Sequence, residues 1–437
     1  MGIEVTTFLL IGGLFSLLLL GVPMAFALGF CAVAAATIGF GFDSLQIIVS
    51  RTYGLVNMYA FGAVPMFLLM ASVMDRSGVA KDMYNVFQIW FARVPGGIAV
   101  VTLIAAVFMA ATTGIIGGEI VLLGLVALPQ MLRLGYDRKL AIGTICAGGS
   151  LGTMIPPSIV LVIYGLTTNT SIGDLFLASI MPGLMLAGIY LVYVLARCII
   201  NPDLAPFPPA SETNISLRDK VLATRKLILP TLIAGSVLGT IYTGVASVTE
   251  AATVGAAATI FAAWIRGELT WAMMKEALVQ TFLTSAVLFW ITIGAFALIG
   301  VYNLMGGITF LKAAISGLPF GPYEIVLFMM LILVVLGCFM DWIGIALLTL
   351  PIFVPIVVHL GFDAVWFGVL FCMTMQISYL SPPFGPAAFY LKSVAPPDIK
   401  LSDIFSALWP FMFMQLAAIA LMILFPQIAL WLPQALR

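Results

Sequence analysis

Four interrupted apolar stretches hold the residues of this chain that could bind an ion. In the first half they lie at residues 112–118 (TTGIIGG) and 148–158, and in the second half at 337–344 (GCFMDWIG) and 374–383. Each interruption frees backbone carbonyls and amides from helical hydrogen bonds, and in apolar surroundings protein, water or an ion must satisfy them. Carbonyl, hydroxyl and carboxylate oxygens suit an alkali cation better than a transition metal. The sequence therefore predicts one alkali-cation site in each half.

The candidate ligands are the small, hydroxyl and carboxyl residues of these stretches. Those of the first site are Thr113, Gly114, Gly149, Gly152 and Pro156. Those of the second site are Gly337, Asp341, Thr374, Ser378 and Ser381. The candidates for contact with a substrate are Thr112, Ser150, Ser158, Gln376 and Pro383.

Asp341 is the most informative of these residues. A carboxylate near the centre of a membrane costs roughly 2.5–3.5 kcal/mol on insertion scales, so it needs a partner. No Lys or Arg lies in its own segment, which favours a bound cation. A helix cap made by Asp341 is the alternative, and both roles can coexist.

Three other polar residues have more ordinary interpretations. Glu119 follows the first interruption and either caps the returning half-helix or faces water. Glu250 is interpreted first as a carboxylate at a helix N-terminus and second as a docking contact. His359, the only histidine, is interpreted as an interface residue rather than as a proton carrier.

The composition indicates an all-α polytopic membrane protein. Of 437 residues, 63% are hydrophobic and 8% are charged, and a soluble domain cannot hide that much apolar surface. The net charge of zero gives no indication of nucleic-acid binding. The glycine-rich run at 148–152 lacks the Lys-Ser/Thr ending of a phosphate loop, so no nucleotide is expected. The five cysteines have no ligand spacing, and the first span, which no basic region precedes, is expected to be retained.

The apolar segments form two similar halves joined by a linker at 201–226. The first repeat, 1–200, has scaffold spans within 4–76, an interfacial arm at 79–94, hairpin one at 97–132, a broken helix at 138–166 and a span at 177–197. The second repeat, 227–437, has scaffold spans within 227–300, an arm at 305–318, hairpin two at 322–358, a broken helix at 365–391 and a span at 404–432. Paired, interrupted segments in two halves are typical of a transport site.

The two halves are related in sequence and, we predict, inverted in the membrane. Residues 134–157 align with 360–383 without a gap, and both end in Pro-Pro. If each hairpin enters and leaves on one side, each half crosses the membrane five times, an odd number. With the linker in the cytoplasm, 15 of the 18 basic residues lie inside, as the positive-inside rule requires. Both termini are then expected outside.

Taken together, these segments resemble the large membrane subunit of TRAP (tripartite ATP-independent periplasmic) transporters, the DctM-like family. The resemblance extends over nearly the whole chain. It rests on GVPMAFALG (21–29), SGVAKDM (77–83), LGYDRKLA (134–141), the IPPS block (155–158), the MDW tip (340–342) and SPPFG (381–385). It implies an elevator-type carrier of the ion-transporter superfamily that imports an organic anion, a carboxylate or sugar acid, with sodium ions. The implied partners are a separate small four-helix membrane subunit, a periplasmic substrate-binding protein and membrane lipids, and the implied location is the bacterial inner membrane.

The resemblance also implies roles for matching residues. Thr113 and Gly114 match the Ser-Gly of the family's first hairpin tip, and Gly152, Pro156 and Ser158 match its first broken helix. Asp341 matches the acidic residue of the second tip, and residues 381–383 match the second broken helix. Ile115 departs from the pattern, because many members have a small hydroxyl residue there. A backbone carbonyl is then the ligand expected at this position.

The predicted function is that of the sodium-coupled permease subunit, and three alternatives remain open. A related elevator carrier could work alone as a homodimer. A channel would show a continuous polar pore face, which the sequence lacks. A membrane enzyme would need a polar catalytic cluster, against which the single His and the absence of metal motifs argue.

Overall fold

The fold consists of helices, and no strand occurs in the part of the chain that the structure describes. The structure is a computed structural model and describes residues 2–91, 94–114, 117–207, 216–317 and 319–436. Residue 115, the ends of both arms at 92–93 and 318, and linker residues 208–215 lie outside these ranges, so the predictions made for them stay predictions.

Ten helices build the first half of the chain. They are α1 (Ile3–Leu19), α2 (Met24–Phe40), α3 (Leu45–Val56), α4 (Ala63–Arg76), α5 (Val79–Phe91), α6 (Gly97–Thr113), α7 (Gly118–Arg133), α8 (Arg138–Ser150), α9 (Ile159–Thr168) and α10 (Ile172–Ile200). The sequence predicted no helix at α3, which with its preceding turn is bent by 61° from α4.

In the described residues of the linker and the second half, eleven α-helices follow. They are α11 (Leu217–Thr224), α12 (Ile228–Tyr242), α13 (Val248–Ile265), α14 (Trp271–Leu304), α15 (Gly307–Ser316), α16 (Pro322–Gly337), α17 (Trp342–His359), α18 (Ala364–Leu380), α19 (Pro386–Val394), α20 (Leu401–Leu424) and α21 (Gln427–Ala435). The predicted single span at 404–432 is wrong, because Pro426 follows the end of α20 and a second helix begins there. The end of the linker is helical and runs into α12 as one apolar segment, Leu217–Tyr242.

Six helical segments in the described ranges, one of them α11 and α12 together, are long and apolar enough to cross a membrane. Several others have only 10–17 residues, among them α1, α2, α6, α16 and α18. Since a single span takes roughly 17–25 residues, the 17-residue helices lie at the lower limit of a span, and the shorter ones must combine with neighbours or enter the membrane partway. The ten crossings stay a prediction.

Helices of the first half pack on helices of the second half. Helix α2 packs on α14 while α4 packs on α13, and α9 packs on α17 while α7 packs on α19. If α2 corresponds to α13, α4 to α14, α7 to α17 and α9 to α19, each of these contacts has a counterpart between the corresponding helices. Such reciprocal contacts are expected of two repeats related by a two-fold axis. The same correspondence holds at the helix starts, where Asp137 accepts a hydrogen bond from Leu140 N at 2.9 Å and Asp363 accepts one from Val365 N at 2.6 Å. The shared LGYD and LGFD segments therefore place an N-cap at the same point of each half.

Candidate functional site

The tip of hairpin one lies against the first broken helix. Helix α6 ends at Gly114, whose φ of +63° is in the left-handed region, where a side chain is costly. The Gly114 carbonyl accepts a hydrogen bond from Ile159 N at 3.5 Å, and a Cβ at Gly114 would overlap the carbonyl oxygen of Pro157. The structure thus brings together a tip and a break that the sequence predicted separately.

The other residues of the first predicted site lie around this contact. The Thr113 hydroxyl donates to Glu119 Oε1 at 2.5 Å. A Cβ at Gly149 would overlap Ile120, and a Cβ at Gly152 would lie 3.2 Å from Glu119 Oε1. Glycines at both positions therefore let α8 and the following turn approach the start of α7.

Three predicted substrate contacts of the first half are hydrogen-bonded to nearby backbone. The hydroxyls of Thr112 and Ser150 donate to carbonyls of their own helices, at 2.8 Å each. The Ser158 hydroxyl donates to the Thr153 carbonyl at 2.5 Å, which bridges the gap between α8 and α9. These bonds give the three side chains a structural role and leave their lone pairs as the groups that could accept from a ligand.

The tip of hairpin two lies against the second broken helix. A Cβ at Gly337, the last residue of α16, would overlap the Ser378 side chain of α18. Further along α18, the hydroxyl of Thr374 donates to the Leu370 carbonyl at 2.9 Å and that of Ser378 to the Thr374 carbonyl at 3.4 Å. The hydroxyl of Ser381 donates to the Ser378 carbonyl at 3.3 Å. The tip and the hydroxyl-bearing end of α18 thus form a second contact of the same kind as the first.

Asp341 begins the returning helix of this tip. It is the N-cap of α17 and accepts a long hydrogen bond, 3.4 Å, from Ile343 N. Its carboxylate lies close enough to act electrostatically on Tyr379 and Tyr390. The cap predicted as an alternative role is confirmed, and the amides of Ile343 and Trp342 use only part of the acceptor capacity of the carboxylate, which leaves lone pairs for a cation.

Tyr390 is a site residue that sequence analysis missed. It lies on α19, its ring carbon would be 2.9 Å from a Cβ at Gly117 beside the first tip, and it is near Asp341 of the second tip. The ring therefore lies beside the first tip, and Tyr390 is 38% exposed. A single tyrosine in a short apolar helix gives no signal of this position.

The remaining polar predictions have mixed outcomes. Gln376 is fully buried, and neither its amide oxygen nor its amide nitrogen has a hydrogen-bond partner among the described residues, a state that needs an explanation such as a ligand or water. Glu250 forms a capping box with Ser247 at the start of α13, so its interpretation as a helix N-terminal carboxylate is confirmed. The interpretation of Glu119 as a cap or a water-facing residue is wrong, because it is 0% exposed and Gly117 is the N-cap of α7.

The donor set fits an alkali cation better than a transition metal. No group of three or more His, Cys, Asp or Glu able to hold a metal occurs among the described residues. Each tip contact instead combines backbone carbonyls beside a glycine with hydroxyl groups and one carboxylate. All of these are hard oxygen ligands. The cis Pro156-Pro157 and Pro382-Pro383 bonds lie at the corresponding point of each contact.

Comparison with known proteins gives consistent matches over nearly the whole chain. The profile of a family described as "Tripartite ATP-independent periplasmic transporter, DctM component" matches residues 11–428. The chain is 29% identical to the C4-dicarboxylate TRAP transporter large permease protein DctM of Pseudomonas aeruginosa, over 90% of each chain. It is 30% identical to the ectoine TRAP transporter large permease protein TeaC of Halomonas elongata, over 98% of each chain. Among solved structures, the YdaH transporter of Alcanivorax borkumensis matches with a TM-score of 0.64 at 15% identity, over 95% of this chain and 99% of that one, and thus shares its fold.

Proposed function

The chain belongs to the DctM component family of tripartite ATP-independent periplasmic transporters and is the large permease subunit of such a transporter; from this premise we propose that it imports an organic anion together with sodium by an elevator mechanism. Its relatives are transporter permeases, which supports a role other than catalysis. The observation that carries the proposal is the pairing of each hairpin tip with a broken helix, Gly114 with Pro157 and Gly337 with Ser378.

The packing supports a division into a fixed and a moving part. Helices α2, α4, α13 and α14 pack on one another and form the fixed scaffold. The two hairpins and broken helices, α6–α9 and α16–α19, pack with α10 and α20 and form the moving part. Since both tips belong to the moving part, they would carry ion and substrate together across the membrane.

Each tip presents the groups that sodium and an anion require. Sodium, bound as a coupling ion, supplies positive charge and lets the voltage contribute about 2.3 kcal/mol per charge per 100 mV. For the first ion the ligands are the carbonyl oxygens around Gly114 and Pro156 with the Thr113 hydroxyl. For the second they are Asp341 and the hydroxyls of α18. The N-termini of α9 and α19, which carry partial positive charge, begin directly after the breaks and would face the substrate carboxylate.

A small cavity marks the approach of an anion from outside. A volume of about 130 Å³ is lined by Arg51, Thr167, Gly300, Asn303 and Pro351, together with two apolar residues. Its lining comes from the scaffold helices α3 and α14 and from α9 and α17 of the moving part. An exposed guanidinium at this border would attract an organic anion before it reaches the tips.

The substrate and the partners follow from the family. The relatives named above are named for a C4-dicarboxylate and for ectoine, so this chain takes a small organic acid that a periplasmic binding protein selects. A separate small membrane subunit covers part of the apolar scaffold surface, and lipid covers the rest. The assembly lies in the bacterial inner membrane.

The test is uptake into proteoliposomes that contain this chain, its small membrane subunit and the binding protein. The sodium gradient, the membrane voltage and each component are varied in turn. We expect uptake only with an inward sodium gradient and all three components, and a stimulation by negative internal voltage. Sodium-independent uptake would refute the proposal. Full uptake activity of this chain alone would favour the stand-alone homodimeric carrier.

A further inference from the structure

Two carboxylates from different parts of the fold meet beside the first tip. Glu119, at the start of α7, is 0% exposed, and its Oε2 has no hydrogen-bond partner in the described part of the chain. Asp75, at the end of α4, has a buried Oδ1 that likewise has no partner. A Cβ at Gly118 would lie 2.7 Å from Asp75 Oδ2, so the Asp75 carboxylate lies directly against the residue that precedes Glu119.

The pair carries a charge problem that the described side chains do not solve. The Asp75 carboxylate is near enough to act unfavourably on that of Glu119. Arg76 follows in sequence and acts favourably on the Asp75 carboxylate, but its guanidinium donates to the Ser72 hydroxyl at 2.8 Å and faces Glu276 at 3.7 Å, so it compensates the two charges only in part. The Thr113 hydroxyl satisfies only Oε1 of Glu119. Two nearby carboxylates with unpartnered, buried oxygens are costly in apolar surroundings unless a cation or a shared proton joins them.

We propose that Glu119 and Asp75 together bind a sodium ion beside the tip of hairpin one, with Glu119 Oε2 and Asp75 Oδ1 as ligands. This inference rests on the proposed sodium-coupled transport and adds to it a carboxylate site in the first half, where the sequence predicted only neutral ligands. Hard carboxylate oxygens suit sodium.

The position of the site gives it a second consequence. Asp75 belongs to α4, which packs on the scaffold helix α13, whereas Glu119 belongs to the hairpin. The two carboxylates can share an ion only while hairpin one stands against α4. An ion bound there holds the moving part to the scaffold, and movement of the hairpin opens the site.

The experiment measures binding of ²²Na⁺ to the purified complex of this chain with its small membrane subunit. Glu119→Gln removes the buried charge and keeps the side-chain volume, and Asp75→Asn does the same at the less buried partner, where misfolding is a smaller risk. Glu250→Gln is the matched control, because that carboxylate caps α13 at an exposed position. A single size-exclusion peak shows which variants are folded.

We expect each single variant to lower the affinity of one sodium ion at least about tenfold, which corresponds to about 1.4 kcal/mol. The double variant should lose no more sodium affinity than the single variant that binds sodium more weakly, because both carboxylates hold the same ion. Glu250→Gln should bind sodium as the wild type does. The inference would be overturned if folded Asp75→Asn bound ²²Na⁺ as the wild type does. It would also be overturned if Ca²⁺ displaced ²²Na⁺ at a lower concentration than unlabelled Na⁺ does. Either result would leave sodium-coupled transport intact. If the wild-type complex binds no ²²Na⁺ and its uptake is sodium-independent, the proposed function itself fails.

Discussion

Replacing Gly114 by alanine tests the contact between the first tip and its broken helix. Alanine at a φ of +63° costs roughly 1–2 kcal/mol, because its Cβ crowds the following carbonyl. The new Cβ would also overlap the Pro157 carbonyl oxygen, a backbone atom that cannot rotate away, so the tip must move off the break. If at least about 1.4 kcal/mol of this cost falls on the ion-bound form, the sodium concentration for half-maximal uptake rises at least about tenfold.

Two other glycines separate the causes of this effect. Gly361 has a φ of +87° but open space around its Cβ position, and Gly188 lies in α10 with neither constraint. Gly361→Ala should therefore lower stability by roughly 1–2 kcal/mol without changing the sodium dependence. Gly188→Ala should be neutral or slightly stabilising, since alanine favours a helix by about 1 kcal/mol over glycine.

The assay is the initial rate of substrate uptake into proteoliposomes as a function of sodium concentration, with the thermal unfolding midpoint of each variant measured in parallel. The reasoning is refuted if Gly114→Ala and Gly361→Ala show the same sodium dependence. In that case strain at the tip would be a matter of stability alone, and the tip would not have to touch the break for sodium to bind.

Three further predictions concern the second tip and the arm. Gly337→Ala should reduce uptake because its Cβ meets the Ser378 side chain, and Ser378→Gly in the same chain should restore part of it. Asp341→Asn keeps a good N-cap, so it should leave the unfolding midpoint nearly unchanged while weakening sodium binding at least about tenfold. Asp82→Asn should destabilise the complex by about 1–2 kcal/mol, since Asp82 accepts from Arg266 at 2.6 Å and from Lys226 at 2.8 Å. Burial raises the pKa of Asp82, but these two partners outweigh it and hold the pKa below its usual range, so the wild-type advantage should persist at neutral pH and vanish as the pH falls below about 4.

Each of these predictions has its own contrary outcome. Wild-type sodium binding by Asp341→Asn would leave that residue only its capping role, and no recovery in the Gly337 and Ser378 double variant would place the obstruction elsewhere. For Asp82 the matched control is Glu276→Gln, whose longer and more exposed pairing with Arg76, 3.7 Å, should be worth less than about 0.5 kcal/mol. Equal destabilisation by the two variants in unfolding measurements would contradict the stronger pairing expected for Asp82.

Much of the helix pattern was predictable because its causes are local. The hairpin at 97–132 became α6 and α7, and the one at 322–358 became α16 and α17, since each apolar run is interrupted by a cluster of glycine and polar residues, whereas the single prolines at 129, 351 and 355 stay inside their helices. The missed helix α3 contains Arg51 and polar residues, so it does not register as an apolar segment. The break between α20 and α21 was missed because Phe425 and Pro426 lie within an apolar run that continues on both sides.

The sequence by itself determined the class of protein, the positions of the four breaks and their repetition in two halves, because hydropathy and backbone-breaking residues act over a few positions of the chain. Only the tertiary structure decided that Gly114 meets Pro157, that Tyr390 lies against Gly117 and that Asp75 lies against Gly118, the residue before Glu119. These contacts join helices far apart in the chain, and they depend on how whole helices pack. A buried carboxylate and an exposed one look alike in sequence, so Glu119 could be recognised as a candidate ligand only once its surroundings were known.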